Sequence, residues 1–123
     1  MKGDDILERL LQFAVRAGHV VDALPDTRLG RHIASQLVRC GTSPSPNYSE
    51  ACAAESPADF IHKVHVAWKE MNESCIWLRM IILSKLLPNN RLAKLLDEGE
   101  QLRRILAQSL ITAKRNLAKA KRK

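Results

Sequence analysis

The stretch "RCGTSPSPNYSEACAAES", residues 39–56, decides the fold. Pro44 and Pro46 each remove a backbone N–H from a helix ladder and obstruct the turn before them, at about 3 kcal/mol each in a regular helix. The flanks nevertheless look helical. The segment is therefore either a linker between two helices or one interrupted helix, and its neighbours bear on which.

Upstream, "DILERLLQFAVRAGHVVDAL" (5–24) sets Ile6, Leu10, Phe13, Ala14, Ala17, Val21 and Leu24 at three- and four-residue spacing, the stripe of an amphipathic helix. Asp4 or Asp5 caps it and Pro25 ends it. After the short "PDT" turn, a second helix starts near Thr27, with Leu29, Ile33, Leu37 and Cys40 in line and Arg28, Arg31 and Arg39 off that line. It runs into the proline segment, and "NYSEACAAE" then returns to residues compatible with helix.

Downstream, "SPAD" (56–59) combines a Ser N-cap, a Pro at the first helical position and an Asp at the positive end of the dipole. The third helix follows without Gly or Pro until Pro88, roughly 45 Å long at the standard rise. Phe60, Val64, Ala67, Trp68, Met71, Cys75, Leu78 and Ile82 form its main face. Ile61, Ile76, Trp77 and Ile81 lie beside or opposite that face, so either the bundle wraps this helix or part of it meets another subunit. "PNN" (88–90) reads as a turn with an Asn cap, and a fourth helix runs from about Arg91 on Leu92, Leu95, Leu96, Leu102, Ile105, Leu106, Leu110, Ala113 and Leu117. Gly99 weakens it by about 1 kcal/mol, too little to break so periodic a run. Short connections make the helices antiparallel neighbours, so the reading is an all-α, up-down-up-down four-helix bundle occupying residues 1–123 as one domain.

Composition agrees: 46% of the 123 residues are hydrophobic with only five aromatics, so the core is Leu, Ile, Val and Ala. The net charge of +7 is concentrated in a basic tail, 114–123, where Lys114, Arg115, Lys119, Lys121, Arg122 and Lys123 have no acid among them. Without these six of 20 basic residues, 14 stand against 13 acids. Such a block attracts a polyanion such as RNA or DNA, the plainer reading being a solvated helix end. Arg28, Arg31 and Arg39 extend the candidate nucleic-acid-binding set, with His32 beside them. Scarce aromatics disfavour recognition by base stacking, leaving salt-sensitive phosphate contacts.

Other chemistry finds little support. The Glu-x-x-His pairs of a bundle-core metal site are absent; "DFIH", "HKVH" and "EMNE" all fall on one helix. Ser43, Ser45 and Ser49 lack a nucleophile elbow, and there is no Gly-rich phosphate loop. Cys40, Cys52 and Cys75 form no disulfide or zinc pattern and read as small packing residues in a reducing compartment. The expectation is a cytoplasmic protein without enzymatic activity, cofactor, metal or membrane segment.

The ordered set Arg39, Thr42, Ser43, Asn47, Glu50, Ala51, Asp59, Phe60, Lys69, Glu70, Glu73, Ser74, Trp77 and Leu78 resembles the bacterial four-helix-bundle family named for proteins encoded in intervening sequences of large-subunit ribosomal RNA genes. Pro44 and Pro46 depart from that pattern. The resemblance implies an all-α bundle, frequently a homopentamer, without known catalysis. It extends to the accessory variability determinants of diversity-generating retroelements, which bind nucleic acid and a reverse transcriptase. It also points to Arg39, Asn47, Glu50 and Glu73 as a polar network between helices two and three, structural before it is ligand-binding. Helical flanks and family pattern together make residues 39–56 the kinked second half of helix two. The leading functional reading is an oligomeric scaffold that binds nucleic acid through its basic residues, with a reverse transcriptase as a candidate partner. The alternative is a protein-protein interaction module with no direct nucleic-acid role.

Overall fold

Two helices open where their cap residues require it. The Thr27 backbone is extended (φ −109°, ψ 168°) and its Oγ1 accepts from Gly30 N at 3.0 Å; Ser56 Oγ accepts from Asp59 N at 3.1 Å. Each satisfies an amide that the first helical turn leaves without a partner. The computed structural model describes residues 2–122, which form α1 (Lys2–Ala23), α2 (Arg28–Thr42), α3 (Pro44–Cys52), α4 (Pro57–Ser84) and α5 (Asn89–Lys121), with no strand among the described residues.

α2 and α3 are the two halves of a single kinked helix, so the architecture is a four-helix bundle. Ser43 stays right-handed (φ −75°, ψ −36°) between them. Pro44 and Pro46 deprive the carbonyls of Cys40 and Thr42 of their usual donors four residues on. One of the two is answered locally: Ser45 Oγ donates to Thr42 O at 3.5 Å. Asn47 steadies the junction residue instead, its Nδ2 donating to both Ser43 O and Ser43 Oγ at 3.0 Å. Pro44 and Ser45 are buried, so the kink is packed into the bundle rather than looped out.

The ring of neighbours runs α1, α2–α3, α4, α5 and back to α1, with α1 facing α4, and α2 facing α5, across the core. Leu10, Phe13 and Ala17 from α1 meet Ile33, Leu37 and Cys40 from α2, Tyr48 and Ala51 from α3, Val64 to Ile81 from α4, and Leu92 to Leu110 from α5. Gly99 keeps α5 close. A Cβ there would lie 3.0 Å from both Cys75 Sγ and Phe13 Cε2. On the outside, Arg9 clasps α5 through a bidentate pair with Glu98 at 3.0 and 2.7 Å.

One alternative is resolved and one expectation revised. Ile81 is fully buried in the core, so at this position the bundle wraps α4, which is packed by α2, α3 and α5 and needs a stripe wider than one face. α5 starts at Asn89 with Pro88 at the cap position, so no Asn side chain caps it; Asn90 Oδ1 accepts from Arg91 N instead. α4 ends on Lys85 in the left-handed region (φ 57°), with Leu86 N bonded to Ile81 O at 3.3 Å, a Schellman closure made without glycine.

Candidate nucleic-acid interface

The basic tail is not a frayed end. It forms the last turns of α5, which remains helical through Lys121. Ala113 and Leu117 continue the apolar stripe and are half-buried, while Lys114, Arg115, Lys119, Lys121 and Arg122 are exposed. At about 100° per residue these five cations share an arc of roughly 160° turned away from that stripe. No acid follows Glu100 on α5, and among the described residues none of the five forms an ion pair. The geometry is a row of uncompensated charge along one side of a helix, suited to phosphates. Lys123 lies outside the described residues.

The α2 cations are placed differently. His32 meets Trp77 edge-on (centroids 5.6 Å apart, 74° between planes) and Arg39 meets Glu70, so α2 runs antiparallel to α4. Arg28 and Arg31 consequently stand where α5 begins, at the end of the bundle opposite the basic turns. Arg28 is exposed and unpaired among the described residues, whereas Arg31 holds Asp26 Oδ1 at 2.7 Å. The candidate binding residues therefore do not form one continuous surface.

Arg39 is committed to α4. Its guanidinium bonds Glu70 Oε2 at 3.0 Å, Glu73 Oε2, and Gln36 Oε1 at 3.1 Å, and Trp77 Nε1 donates to the same Glu73 oxygen at 3.0 Å. The side chain is 49% exposed, so the cluster is a surface clasp between helices and not a buried network. Asn47 and Glu50 do not join it. Asn47 serves the kink, and Glu50 pairs with Lys63 Nζ at 2.8 Å. Distance along the helix explains the separation: eleven residues from Arg39 to Glu50 is about 16 Å of axis. Glu70 and Trp77 take the places expected of Asn47 and Glu50, and their spacing around Glu73, three residues before and four after, is the signal for a shared helical face.

Of the cysteines, Cys40 and Cys75 are buried and Cys52 is exposed, so the packing role fits the first two. Burial pushes Cys40 up to about 11 and Cys75 up to about 12, keeping both as thiols near neutral pH. His62 is exposed and His65 stacks on Trp68 at 6.0 Å. No group of three or more His, Cys, Asp or Glu converges among the described residues. No helix is long and apolar enough to cross a membrane among the described residues.

The profile of the 23S rRNA-intervening sequence protein family matches residues 4–108. The chain belongs to that family. A solved structure with the same bundle, a protein of unknown function from the S23 ribosomal protein family of Bacteroides thetaiotaomicron, superposes with a TM-score of 0.81 at 29% identity, covering 89% of this chain and 98% of its own. Among curated proteins, nothing matches the chain. The matched region contains the Arg39 clasp and the α2–α3 kink but stops before Lys114. The basic turns of α5 thus lie beyond the family-defining segment, in a part of this chain read from its own residues.

Proposed function

We propose that this member of the intervening-sequence family is a non-enzymatic, oligomeric helical scaffold that binds nucleic acid through the C-terminal turns of α5. The observation that carries the reading is the exposed, acid-free arc of Lys114, Arg115, Lys119, Lys121 and Arg122 on a helix continuous from the bundle core. Contacts of this type address phosphates and impart little sequence preference. Arg28 adds a second point of contact at the far end. Arg31 and Arg39 are secondary, since each would have to leave a carboxylate to meet a phosphate.

Self-association is supported by α4, whose outward side presents Ile76 at 45% and Leu83 at 78% exposure, with Arg79 between them. Large apolar side chains on one helical face of a small protein favour a partner surface. The partner is a second copy of the chain, in a ring for which the family resemblance favours five members. Light scattering on the purified protein reads this directly; a mass equal to one 13.8 kDa chain at micromolar concentration contradicts it.

The binding test replaces the five α5 cations by Ser. Substitution is preferable to deletion because Leu117 is half-buried and removing it would disturb packing. Retention of duplex RNA or DNA on a filter at moderate salt should fall at least ten-fold while the helical signal persists. Equal retention by the substituted chain rejects the proposed surface.

A further inference from the structure

At the end of the bundle opposite the basic turns, a cleft of about 590 Å³ opens between the last turns of α1 and the first turns of α5. Its rim carries three cations, Arg16 from α1 and Arg91 and Lys94 from α5, with the His19 imidazole of α1 beside them. No acid lines it. Asp97 and Glu98, the next carboxylates on α5, accept from Gln101 and hold Arg9 respectively, and Asp22 on α1 stands outside the lining. Among the described residues, Arg16, Arg91 and Lys94 have no ion-pair partner. The floor is aliphatic, from Val20, Leu87, Leu92 and Leu95.

Cationic groups that converge without a counter-charge repel one another, and an anion drawn into their cleft relieves that repulsion. The first turn of α5 contributes in the same sense: it contains no acid and Pro88 supplies no side-chain cap, although one of its amides, Arg91 N, is already taken by Asn90 Oδ1. An aliphatic floor beneath a charged rim selects a ligand with an apolar or planar body and an anionic end, and the volume falls within the range of small-molecule sites. We propose that this cleft binds an organic phosphate of about nucleotide size, its phosphate among Arg16, His19, Arg91 and Lys94 and its body on the Val20, Leu92 and Leu95 surface. The site is separate from the α5 basic turns and does not depend on their binding nucleic acid.

The test is calorimetric titration of the full chain with AMP, adenosine and inorganic phosphate. AMP should bind at least ten-fold more tightly than either of the others, because only AMP engages rim and floor together. The exposed pair Arg91→Ser, Lys94→Ser should weaken AMP at least ten-fold with an unchanged helical signal. Ala23→Phe, which fills the cleft from its α1 side, should weaken AMP without altering the charge. The variant with the five α5 cations replaced should bind AMP as the parent does. Dinucleotides with and without a 5′-phosphate separate a free nucleotide from a strand end: tighter binding than AMP assigns a phosphorylated end, weaker binding a free nucleotide, and both support the phosphate site. The proposal is overturned if AMP fails to bind at millimolar concentration, if adenosine equals it, if the Arg91, Lys94 variant keeps its affinity, or if the α5 variant loses it.

Discussion

At the scale of single residues, Arg39 shows how a cation that looks available for phosphate becomes a structural clasp. It faces two carboxylates one turn apart, and Glu73 is further shared with Trp77. Because the side chain is half exposed, solvent limits what the clasp is worth. Arg39→Ala and Glu73→Ala should each lower stability by about 1 kcal/mol, Glu73→Ala by slightly more because Trp77 Nε1 loses its acceptor. A double-mutant cycle in urea should show coupling of about 0.5 kcal/mol, and additive effects would mean the clasp contributes nothing. The carboxylate partners were only partly legible in the sequence. Glu73 is identifiable as a polar position on the α2-facing side, but Glu70 rather than Glu50 completes the pair because antiparallel register, not motif order, decides which residues meet.

At the scale of the element, legibility follows how local the cause is. The starts at Thr27 and Ser56 can be read from sequence because a cap acts within three residues. The α2–α3 kink can be read from Pro44 and Pro46, although the Ser45 bond to Thr42 O and the Asn47 bonds to Ser43 depend on side-chain placement that no spacing rule gives. Periodicity leaves Ile81 between core and intersubunit surface because a single-stripe rule does not count how many neighbours surround a helix; its burial selects the core. The cleft was invisible, since Arg16 and Arg91 are brought together only by the antiparallel pairing of α1 and α5. Two glycines give a paired test. A Cβ on Gly18 meets nothing within 4 Å, so Gly18→Ala should stabilise α1 by about 0.5–1 kcal/mol. A Cβ on Gly30 would fall 2.2 Å from Pro25 O, a backbone atom that accepts from Thr27 N at 2.9 Å. Gly30→Ala should therefore destabilise by about 1–3 kcal/mol, as overpacking does. Thermal melts of both variants check the contrast, and equal shifts would contradict the packing described at the α1–α2 turn.

At the scale of the whole molecule, three protonated groups lie in or against the core. Cys40 and Cys75 are raised from 9.0 to about 11 and about 12, and Tyr48 from 10.0 to about 12, burial being the first cause in each case. Between pH 9 and those values the folded chain keeps protons that the unfolded chain releases, so stability is fully present below pH 9 and falls as pH rises through 11 to 12. A Tm series from pH 8 to 11 should decline at its alkaline end, less steeply for Cys40→Ala; a flat series would mean the thiols and phenol are more open to water than the packing indicates. The same molecule carries positive charge in a different shape at each of its two ends. A cleft rimmed by Arg16, His19, Arg91 and Lys94 sits at one end, and a helical row of cations at the other. The central claim is that the second of these binds nucleic acid by phosphate contact. It is tested most directly by the salt dependence of duplex DNA affinity, because log Kobs falls against log salt with a slope of about −0.9 per phosphate contacted. The intact chain should give a slope near −3 to −5, and the chain with Lys114, Arg115, Lys119, Lys121 and Arg122 replaced by Ser should keep only about −1 from Arg28; indistinguishable slopes for the two chains would contradict the claim.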